Sequence, residues 1–311
     1  MVTIDRRAIP DAAVESRWQA ADGWDIRRID WRADSPKGSI LFLPGRGDIY
    51  EKYLETLHGF WADGWSVTAS DWRGQGGSGR FSDEAHIGHV DDFATWIADL
   101  AGFWKRWKAE TSAPHVLIGH SMGGHLALRA LAERAVDPDA AILSAPMLGI
   151  RAGGVPSWIG HAYAWLMNRM GDPTRAAWKV SEKPGASATL RHKLLTHDKA
   201  RYDDEPGWWE LRPELKMGPA SWGWVERAMA STRRLERPGM LEAIDTPILI
   251  LATTADQLVD TKRIVADAAR LPDAELKLFG DEAAHELLRE ADPVRGQVIA
   301  AIDDFLERRL K

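Results

Sequence analysis

The segment that most constrains this fold is Gly119-His120-Ser121-Met122-Gly123-Gly124, because an apolar run leads into it and a helical pattern follows it. The order of strand, G-x-S-x-G and helix is that of a nucleophile elbow, a sharp turn that raises a serine above the edge of a sheet. Glycines are needed there because side chains on either side would collide with the neighbouring strand and helix. The motif therefore predicts that Ser121 is a nucleophile.

Short apolar runs recur along the chain with helical patterns between most of them, which predicts a mainly parallel α/β sheet. The runs are 40–43, 65–68, 116–118, 141–143, 248–251 and 276–279. Before them, residues 14–20 and 24–32 alternate apolar and polar side chains, as in an antiparallel hairpin. Apolar stripes at three- and four-residue spacing predict core-facing helices over about 93–107 and 294–305.

The alternation of strands and helices breaks between residues 147 and 235, which predicts a helical cap over 147–235 and a core of 1–146 and 236–311. Seven of the sixteen tryptophans lie in this cap: Trp158, Trp165, Trp178, Trp208, Trp209, Trp222 and Trp224. Together they predict an apolar passage above Ser121, although a small lobe also needs bulky anchors. Exposed cap tryptophans would suit either a peripheral membrane contact or a dimer interface, so the oligomeric state stays open.

The composition limits which classes of partner and which cellular compartment we expect. The 311 residues are 45% hydrophobic and carry a net charge of −6, without the clustered positive charge that nucleic acids require. There is no cysteine, which excludes disulfides and thiolate metal sites. The first residues lack the apolar core of a signal peptide, and no segment approaches the roughly 18 apolar residues of a membrane span. We therefore expect a cytoplasmic protein with no nucleic-acid partner.

A serine hydroxyl needs an imidazole to take its proton and a carboxylate to orient that imidazole. On folds with this elbow, the acid and then the histidine follow the serine along the chain. His285, the last histidine, follows the final predicted strand and is the expected base. Asp256 follows run 248–251, at the sheet edge where catalytic groups collect, and is the expected acid. Asp260 is the rival, but it adjoins a predicted helix and is better placed to cap it.

The oxyanion formed on attack needs N–H donors. The N–H of Met122, at the positive end of the helix after the elbow, is one expected donor. The second should come from the loop after run 40–43, where two glycines flank Arg46. The Arg46 side chain has two interpretations, a contact with an anionic head group or an ion pair with a local carboxylate.

The glycine-rich segment 71–79 has neither the Lys-Ser/Thr ending of a phosphate loop nor the spacing of a dinucleotide fingerprint. We therefore expect no cofactor and no metal, and interpret Asp71 and Arg73 as braces for the active-site loops.

These motifs resemble the monoglyceride lipase and bacterial lysophospholipase group of α/β-hydrolases over about residues 39–306. The matching segments are Leu43-Pro44-Gly45-Arg46-Gly47, Asp71-Trp72-Arg73-Gly74-Gln75-Gly76, Gly119-His120-Ser121-Met122-Gly123-Gly124, Leu143-Ser144-Ala145-Pro146-Met147-Leu148, Asp256-Gln257-Leu258-Val259 and His285-Glu286-Leu287-Leu288. The resemblance implies an α/β-hydrolase fold with helices on both faces of the sheet and a helical cap over an acyl-binding tunnel. The functional residues that it implies are a triad of Ser121, Asp256 and His285 and an oxyanion hole of Arg46 and Met122.

The chain departs from that group at Pro44, where many relatives have histidine, and in 252–255, which lacks a glycine. Neither departure removes a catalytic group, but the first leaves the head-group preference open. The sequence thus predicts a cofactor-independent serine hydrolase acting on monoacyl lipid esters, such as lysophospholipids or monoacylglycerols. A general carboxylesterase or a serine peptidase of the same fold is one alternative. A non-catalytic protein that binds a small ligand is the other, which the complete set of three catalytic groups disfavours.

Overall fold

The computed structural model describes residues 4–84, 86–151, 157–178 and 188–310. In these residues eight strands form one sheet in the order β1-β2-β4-β3-β5-β6-β7-β8. The strands are β1 (Ala13–Gln19), β2 (Asp25–Trp31), β3 (Ser39–Leu43), β4 (Ser66–Ser70), β5 (His115–His120), β6 (Ala140–Ser144), β7 (Ile248–Thr253) and β8 (Ala274–Phe279).

The sheet is parallel from β4 through β3, β5, β6 and β7 to β8, and antiparallel where β2 pairs with β1 and with β4. The predicted hairpin and the predicted mainly parallel sheet are both confirmed. Parallel pairing places the carboxyl ends of these strands along one edge. In the register of β3 and β5, Leu43 lies opposite Gly119, so the loop after β3 begins beside the turn that contains Ser121.

The described helices are α1 (Leu54–Ala62), α2 (Phe93–Glu110), α3 (Met122–Ala132), α4 (Ser157–Arg169), α5 (Ala188–Leu195), α6 (Lys199–Tyr202), α7 (Asp204–Leu211), α8 (Trp222–Leu235), α9 (Thr261–Ala268) and α10 (Asp292–Arg309). Helices α2, α3 and α9 cover one face of the sheet, and α1 and α10 cover the other. The two helices predicted from apolar stripes are α2 and α10. The first is capped by the Asp92 side chain, which accepts the N–H of Ala94 at 2.8 Å.

The sheet separates two apolar cores because side chains alternate between its faces. Leu117 of β5 packs in one core with residues of α2, α3, α8 and α9. Its neighbours Val116 and Ile118 pack in the other core, against residues of α1 and α10. Each large apolar side chain that is fully buried here stabilises the fold by about 1.5–3 kcal/mol. The two cores therefore hold the strand that carries Ser121 from both sides.

The chain between β6 and β7 carries helices α4 to α8, and its described residues add no strand to the sheet. Residues 152–156 and 179–187 of the predicted cap lie outside the described residues. The boundaries 147 and 235 stay predictions. None of the described helices is long and apolar enough to cross a membrane.

Candidate active site

The serine turn lies between β5 and α3 and is strained. Ser121 has φ +50° and ψ −114°, which residues other than glycine rarely adopt. Its N–H donates to the carbonyl of Ser144 on β6 at 2.9 Å, and its own carbonyl accepts the N–H of His125 at 3.0 Å. Such strain costs about 1–3 kcal/mol and persists only where the surroundings enforce it. The sheet and α3 together enforce it here.

The glycines of the elbow are needed for steric reasons, as predicted. A Cβ atom on Gly123 would lie 2.2 Å from the carbonyl oxygen of Leu43 and 2.5 Å from that of Pro44. A Cβ atom on Gly119 would lie 2.7 Å from the backbone nitrogen of Gly124. These atoms belong to the backbone, so a rotamer change cannot relieve either contact.

We expect Gly123→Ala to destabilise the protein by about 3 kcal/mol, at the upper end of overpacking effects, and to lower hydrolysis. The displaced backbone leads directly into the loop that contains Arg46. Gly102 in α2 provides the matched control, since a Cβ atom there would meet nothing within 4 Å. Gly102→Ala should stabilise the protein by about 0.5–1 kcal/mol. Urea unfolding and initial rates measure both effects, and wild-type stability of Gly123→Ala would contradict the steric argument.

The three residues expected to form a triad are joined by hydrogen bonds. His285 Nε2 lies 2.9 Å from Ser121 Oγ, and His285 Nδ1 lies 2.7 Å from Asp256 Oδ2. The other carboxylate oxygen, Asp256 Oδ1, accepts the N–H groups of Leu258 at 2.8 Å and Val259 at 3.0 Å. The loop after β7 therefore fixes the carboxylate, which in turn orients the imidazole toward the serine.

The charges around His285 favour its role as a proton acceptor. Burial alone would lower the pKa of His285, but the Asp256 charge and hydrogen bond, with Glu286 and Asp48, raise it above the usual 6.5. Burial alone would raise the pKa of Asp256, but the His285 charge and three hydrogen bonds bring it below its usual value. Burial and the neighbouring His285 charge lower the pKa of His120 to about 4, which keeps that ring neutral at neutral pH.

The loop that contains Arg46 is fixed on both sides of that residue. The N–H of Gly45 donates to Asp48 Oδ2 at 3.0 Å, and the N–H of Gly47 donates to Gln75 Oε1 at 2.6 Å. A Cβ atom on Gly45 would lie 3.3 Å from the Cβ atom of Ser121, so this loop lies against the serine turn. The geometry places the Arg46 backbone near the serine hydroxyl.

Met122 is the first residue of α3, so its N–H lies at the positive end of that helix. The Arg46 side chain donates through Nη2 to the carbonyl of Gly218 at 2.7 Å, and its guanidinium carbon lies 5.2 Å from the Trp224 ring centre. These contacts tie the Arg46 loop to the segment between β6 and β7. A head-group contact of Arg46 stays a prediction, as do the donor roles of Arg46 and Met122.

Gln75, which sequence reasoning did not single out, links the glycine-rich loop to the Arg46 loop. Asp71 accepts the N–H of Gly77 at 2.8 Å, and Arg73 donates to Asp99 at 2.7 Å, so both support the glycine-rich loop itself. The glycine-rich segment 71–79 and the matching motif 71–76 pointed to this region, but neither gave a reason to prefer Gln75.

Ser121 lines a pocket together with an apolar and a polar set of side chains, which we call its apolar wall and its polar wall. The apolar wall is formed by Met147, Ile150, Trp178, Leu195, Trp224, Leu258 and Val259. The polar wall is formed by Asp48, Lys52, His120 and Glu286, with Arg46 beside them. Two of the seven cap tryptophans therefore line the pocket. Trp208 is instead buried in a core, and Trp158 and Trp165 are exposed, so the cap tryptophans lie in three different environments. The apolar passage stays a prediction.

The acidic side chains of the polar wall are bound to a lysine. Lys52 Nζ donates to Asp48 Oδ1 at 2.5 Å and to Glu286 Oε1 at 2.7 Å. In the part of the chain that the structure describes, no group of three or more histidine, aspartate or glutamate side chains is arranged to hold a metal ion.

A mainly parallel sheet, a strained serine between strand and helix, and a histidine and aspartate from later loops define a serine hydrolase of the α/β-hydrolase fold. The family model Hydrolase_4, described as serine aminopeptidase, S33, matches residues 34–292, and the chain belongs to this family. The predicted fold class and enzyme class are thereby confirmed.

The chain is similar to bacterial and yeast lipid hydrolases. It is 26% identical over 309 residues to lysophospholipase L2 of Escherichia coli strain K12, covering 94% of this chain and 87% of the relative. It is 29% identical over 269 residues to the probable lysophospholipase L2 of Haemophilus influenzae, covering 86% and 83%. A solved structure of a soluble variant of monoglyceride lipase from Saccharomyces cerevisiae, in complex with a substrate analogue, matches with a TM-score of 0.76 at 20% identity, covering 98% of this chain and 97% of that one. This structural likeness supports the fold, and the predicted resemblance is confirmed.

Proposed function

We propose that this protein hydrolyses the ester bond of monoacyl lipids, lysophospholipids or monoacylglycerols. The observation that carries the proposal is the hydrogen-bonded chain from Asp256 through His285 to Ser121, in a pocket that also has an apolar wall. The names of the bacterial relatives point to the same substrate class.

In the proposed reaction, Ser121 Oγ attacks the ester carbonyl while His285 Nε2 takes its proton. The negative charge on the carbonyl oxygen is stabilised by the N–H groups of Arg46 and Met122. The tetrahedral intermediate collapses, the C–O bond to the alcohol breaks, and His285 returns the proton to the leaving oxygen. Water, deprotonated by His285, then attacks the acyl ester on Ser121. The bond from the acyl carbon to Ser121 Oγ breaks, His285 returns the proton to Oγ, and the fatty acid leaves. Asp256 stabilises the imidazolium throughout.

The two walls of the pocket favour an acyl chain over an amine as the recognised group. The apolar wall offers an aliphatic chain a surface removed from water. An aminopeptidase would need an acidic group to hold the substrate ammonium. The carboxylates of Asp48 and Glu286 are both already bonded to Lys52 Nζ. A screen of monoacyl esters against aminoacyl amides separates the two activities, and preferred cleavage of the amides would make the protein a peptidase.

Catalytic efficiency should rise with acyl-chain length until the pocket is filled. Each buried methylene contributes about 0.8 kcal/mol, or roughly fourfold in kcat/KM. Trp178→Ala and Trp224→Ala, on the apolar wall, should flatten this dependence while leaving acetyl ester hydrolysis largely intact. Efficiency on emulsified triacylglycerol should be low, because a passage that holds one acyl chain has no room for the other two chains of that substrate. Rates on monodisperse esters of increasing length measure the effect.

Trp165 provides the matched control for those variants. It also lies between β6 and β7, but it is 48% exposed on α4. Trp165→Ala should retain the wild-type chain-length dependence on monodisperse esters. Equal efficiency on acetyl and long-chain monoesters, or strong triacylglycerol hydrolysis, would instead indicate a general carboxylesterase with an open site.

We further propose that α4 contacts the surface of a membrane or micelle that holds the substrate. Large apolar side chains are exposed on and beside this helix: Trp158, Ile159, Tyr163, Trp165, Leu166 and Met170. The helix packs against α8, which contributes Trp224 to the pocket wall. Tryptophan and tyrosine suit an interface that is apolar on one side and wet on the other. The exposed helix is thus packed against a helix that lines the pocket proposed to receive the acyl chain.

Sedimentation with phosphatidylcholine vesicles tests this contact. The Trp158→Ala/Trp165→Ala variant should lose vesicle binding and activity on vesicle-borne substrate, while its activity on a soluble short ester stays unchanged. A concentration-dependent dimer that this variant abolishes, without vesicle binding by the wild type, would assign the surface to a second copy of the chain.

A further inference from the structure

A buried lysine joins three chain segments, two of which carry residues that line the pocket of the candidate active site. The side chain of Lys52 is 1% exposed, and its ammonium group contacts three carboxylates. Asp48 Oδ1 lies at 2.5 Å, Glu286 Oε1 at 2.7 Å and Glu205 Oε1 at 3.2 Å from Lys52 Nζ. Asp48 belongs to the loop after β3, Glu286 to the loop after β8, and Glu205 to α7.

The Asp48 contact reaches the Arg46 loop directly. Asp48 Oδ2 accepts the N–H of Gly45 at 3.0 Å and the hydroxyl of Tyr53 at 2.8 Å, while its other oxygen is bound by Lys52. The carboxylate therefore holds the backbone immediately before Arg46, whose N–H is the proposed oxyanion donor.

The Glu286 contact reaches the histidine loop in the same way. Glu286 follows His285 directly, and its own N–H donates to the carbonyl of Leu195 at the end of α5 at 2.7 Å. Its second carboxylate oxygen accepts from Arg289. The side chain of Glu286 is thus held between two cations, and its backbone position determines where the histidine backbone lies.

The cluster depends on the lysine charge. Burial alone would lower the pKa of Lys52, but Asp48, Glu205 and Glu286 raise it above its usual range, so the side chain is charged. Two hydrogen bonds, to Asp48 and Glu286, and an ion pair with Glu205 compensate for the loss of hydration. Without the lysine, the three buried carboxylates would lose the cation that they share, and their negative charges would repel one another.

We propose that Lys52 is a positioning residue that fixes the Arg46 loop and the His285 loop relative to each other through Asp48 and Glu286. This inference rests on the proposed function, because it assigns both loops to one reaction. Lys52 acts through these two carboxylates and takes no part in proton transfer.

We expect Lys52→Met to lower kcat about 100-fold, the loss typical of one misplaced oxyanion donor. KM for a medium-chain monoester should change little, because the apolar wall is untouched. The acidic limb of the kcat/KM profile should also move to higher pH. The charged and titratable groups near His285 are Asp256, His120, Asp48 and Glu286, with Lys52 and Arg289 both bound to Glu286. Lys52→Met removes one of the two cations of this set and so favours imidazolium, and the neutral base is lost at a higher pH.

Two further variants separate the charge of Lys52 from its role in joining the loops. Lys52→Arg keeps a cation in contact with the carboxylates and should restore most of kcat. Lys52→Met/Glu286→Gln removes one charge of each sign, so the acidic limb should return toward the wild-type pH while kcat stays low. A residue that only stabilised the fold would move neither the limb nor kcat per active site.

Arg28→Met is the control for loss of a buried cation. Arg28 is buried and paired with Asp30 on β2, outside the described pocket lining. This variant should lose thermal stability but keep kcat per active site, counted by fluorophosphonate titration.

If Lys52→Met does not fold, Asp48→Asn tests the same proposal. Its kcat should be about tenfold lower at unchanged KM, because a charge-assisted contact is weakened.

The outcomes are distinguishable. Wild-type kcat and an unmoved acidic limb in Lys52→Met, or in Asp48→Asn where that variant replaces it, would overturn the positioning role while leaving the proposed function intact. A wild-type protein that neither reacts with fluorophosphonate nor hydrolyses any monoester would overturn the proposed function first, and the inference with it.

Discussion

Ser121→Ala should leave a folded protein whose hydrolysis of monoacyl esters is lower by about 10⁶-fold, because a serine, histidine and aspartate that act as a unit lose nearly everything when one member is removed. The substituted side chain faces the pocket, and the elbow keeps its backbone bonds to Ser144 and His125. Circular dichroism and thermal unfolding should therefore match the wild type. Retention of more than about a tenth of wild-type turnover would remove Ser121 from the nucleophile role.

Ser221 supplies a demanding control, because it too is hydrogen-bonded to a histidine and, through it, to an aspartate. Its hydroxyl lies 2.7 Å from His89 Nδ1, and His89 Nε2 lies 3.1 Å from Asp91. Ser221 is 0% exposed, however, and its hydroxyl accepts the N–H of Trp224 as the N-cap of α8. Ser221→Ala should cost about 1–2 kcal/mol of stability and leave kcat per active site unchanged. Fluorophosphonate should label Ser121 in this variant, as in the wild type.

The elbow could be predicted because its signal is local, and His285 and Asp256, which form a hydrogen-bonded chain with Ser121, could be predicted from chain order and strand ends. Gly119 and Gly123 lie within four residues of each other, and both are required by backbone atoms that any such turn brings close. His285 and Asp256 are identified by chain order and by their position after a strand, since a parallel sheet gathers strand ends at one edge. The distinction between Asp256 and Asp260 likewise followed from the neighbouring helix start.

The supporting charges could not be predicted, because they meet only in the folded chain. Lys52 and Glu286 are 234 residues apart in sequence, and Lys52 lies outside every motif recognised in the sequence. Gln75 reaches the Arg46 loop across 28 residues. Nothing in the sequence distinguished the cap tryptophans from one another. In the structure they divide among the pocket wall, the core and the surface. Only tertiary contacts distinguish these roles.

The second large effect is expected at the acid, where Asp256→Asn should lower turnover about 10⁴-fold with little change in stability. The structure gives the reason. Asp256 Oδ1 accepts two backbone N–H groups, from Leu258 and Val259, so the oxygen of an asparagine amide stays on that side. Its NH₂ group then faces His285 Nδ1 and donates to it. The imidazole must carry its proton on Nε2, toward Ser121, and in that tautomer it cannot accept the serine proton.

Asp260→Asn is the matched comparison, because it makes the same substitution four residues further along the chain. Asp260 Oδ1 accepts the N–H of Lys262 as the N-cap of α9, a role that asparagine fills about as well as aspartate. The variant loses only a charge at a helix N-terminus, so stability should fall by less than about 1 kcal/mol and kcat should stay near wild type. Both rates should be measured on protein shown to be folded, with active sites counted by titration. If Asp260→Asn proved the more damaging change, the acid role would pass to Asp260 and the hydrogen bond between His285 and Asp256 would be structural.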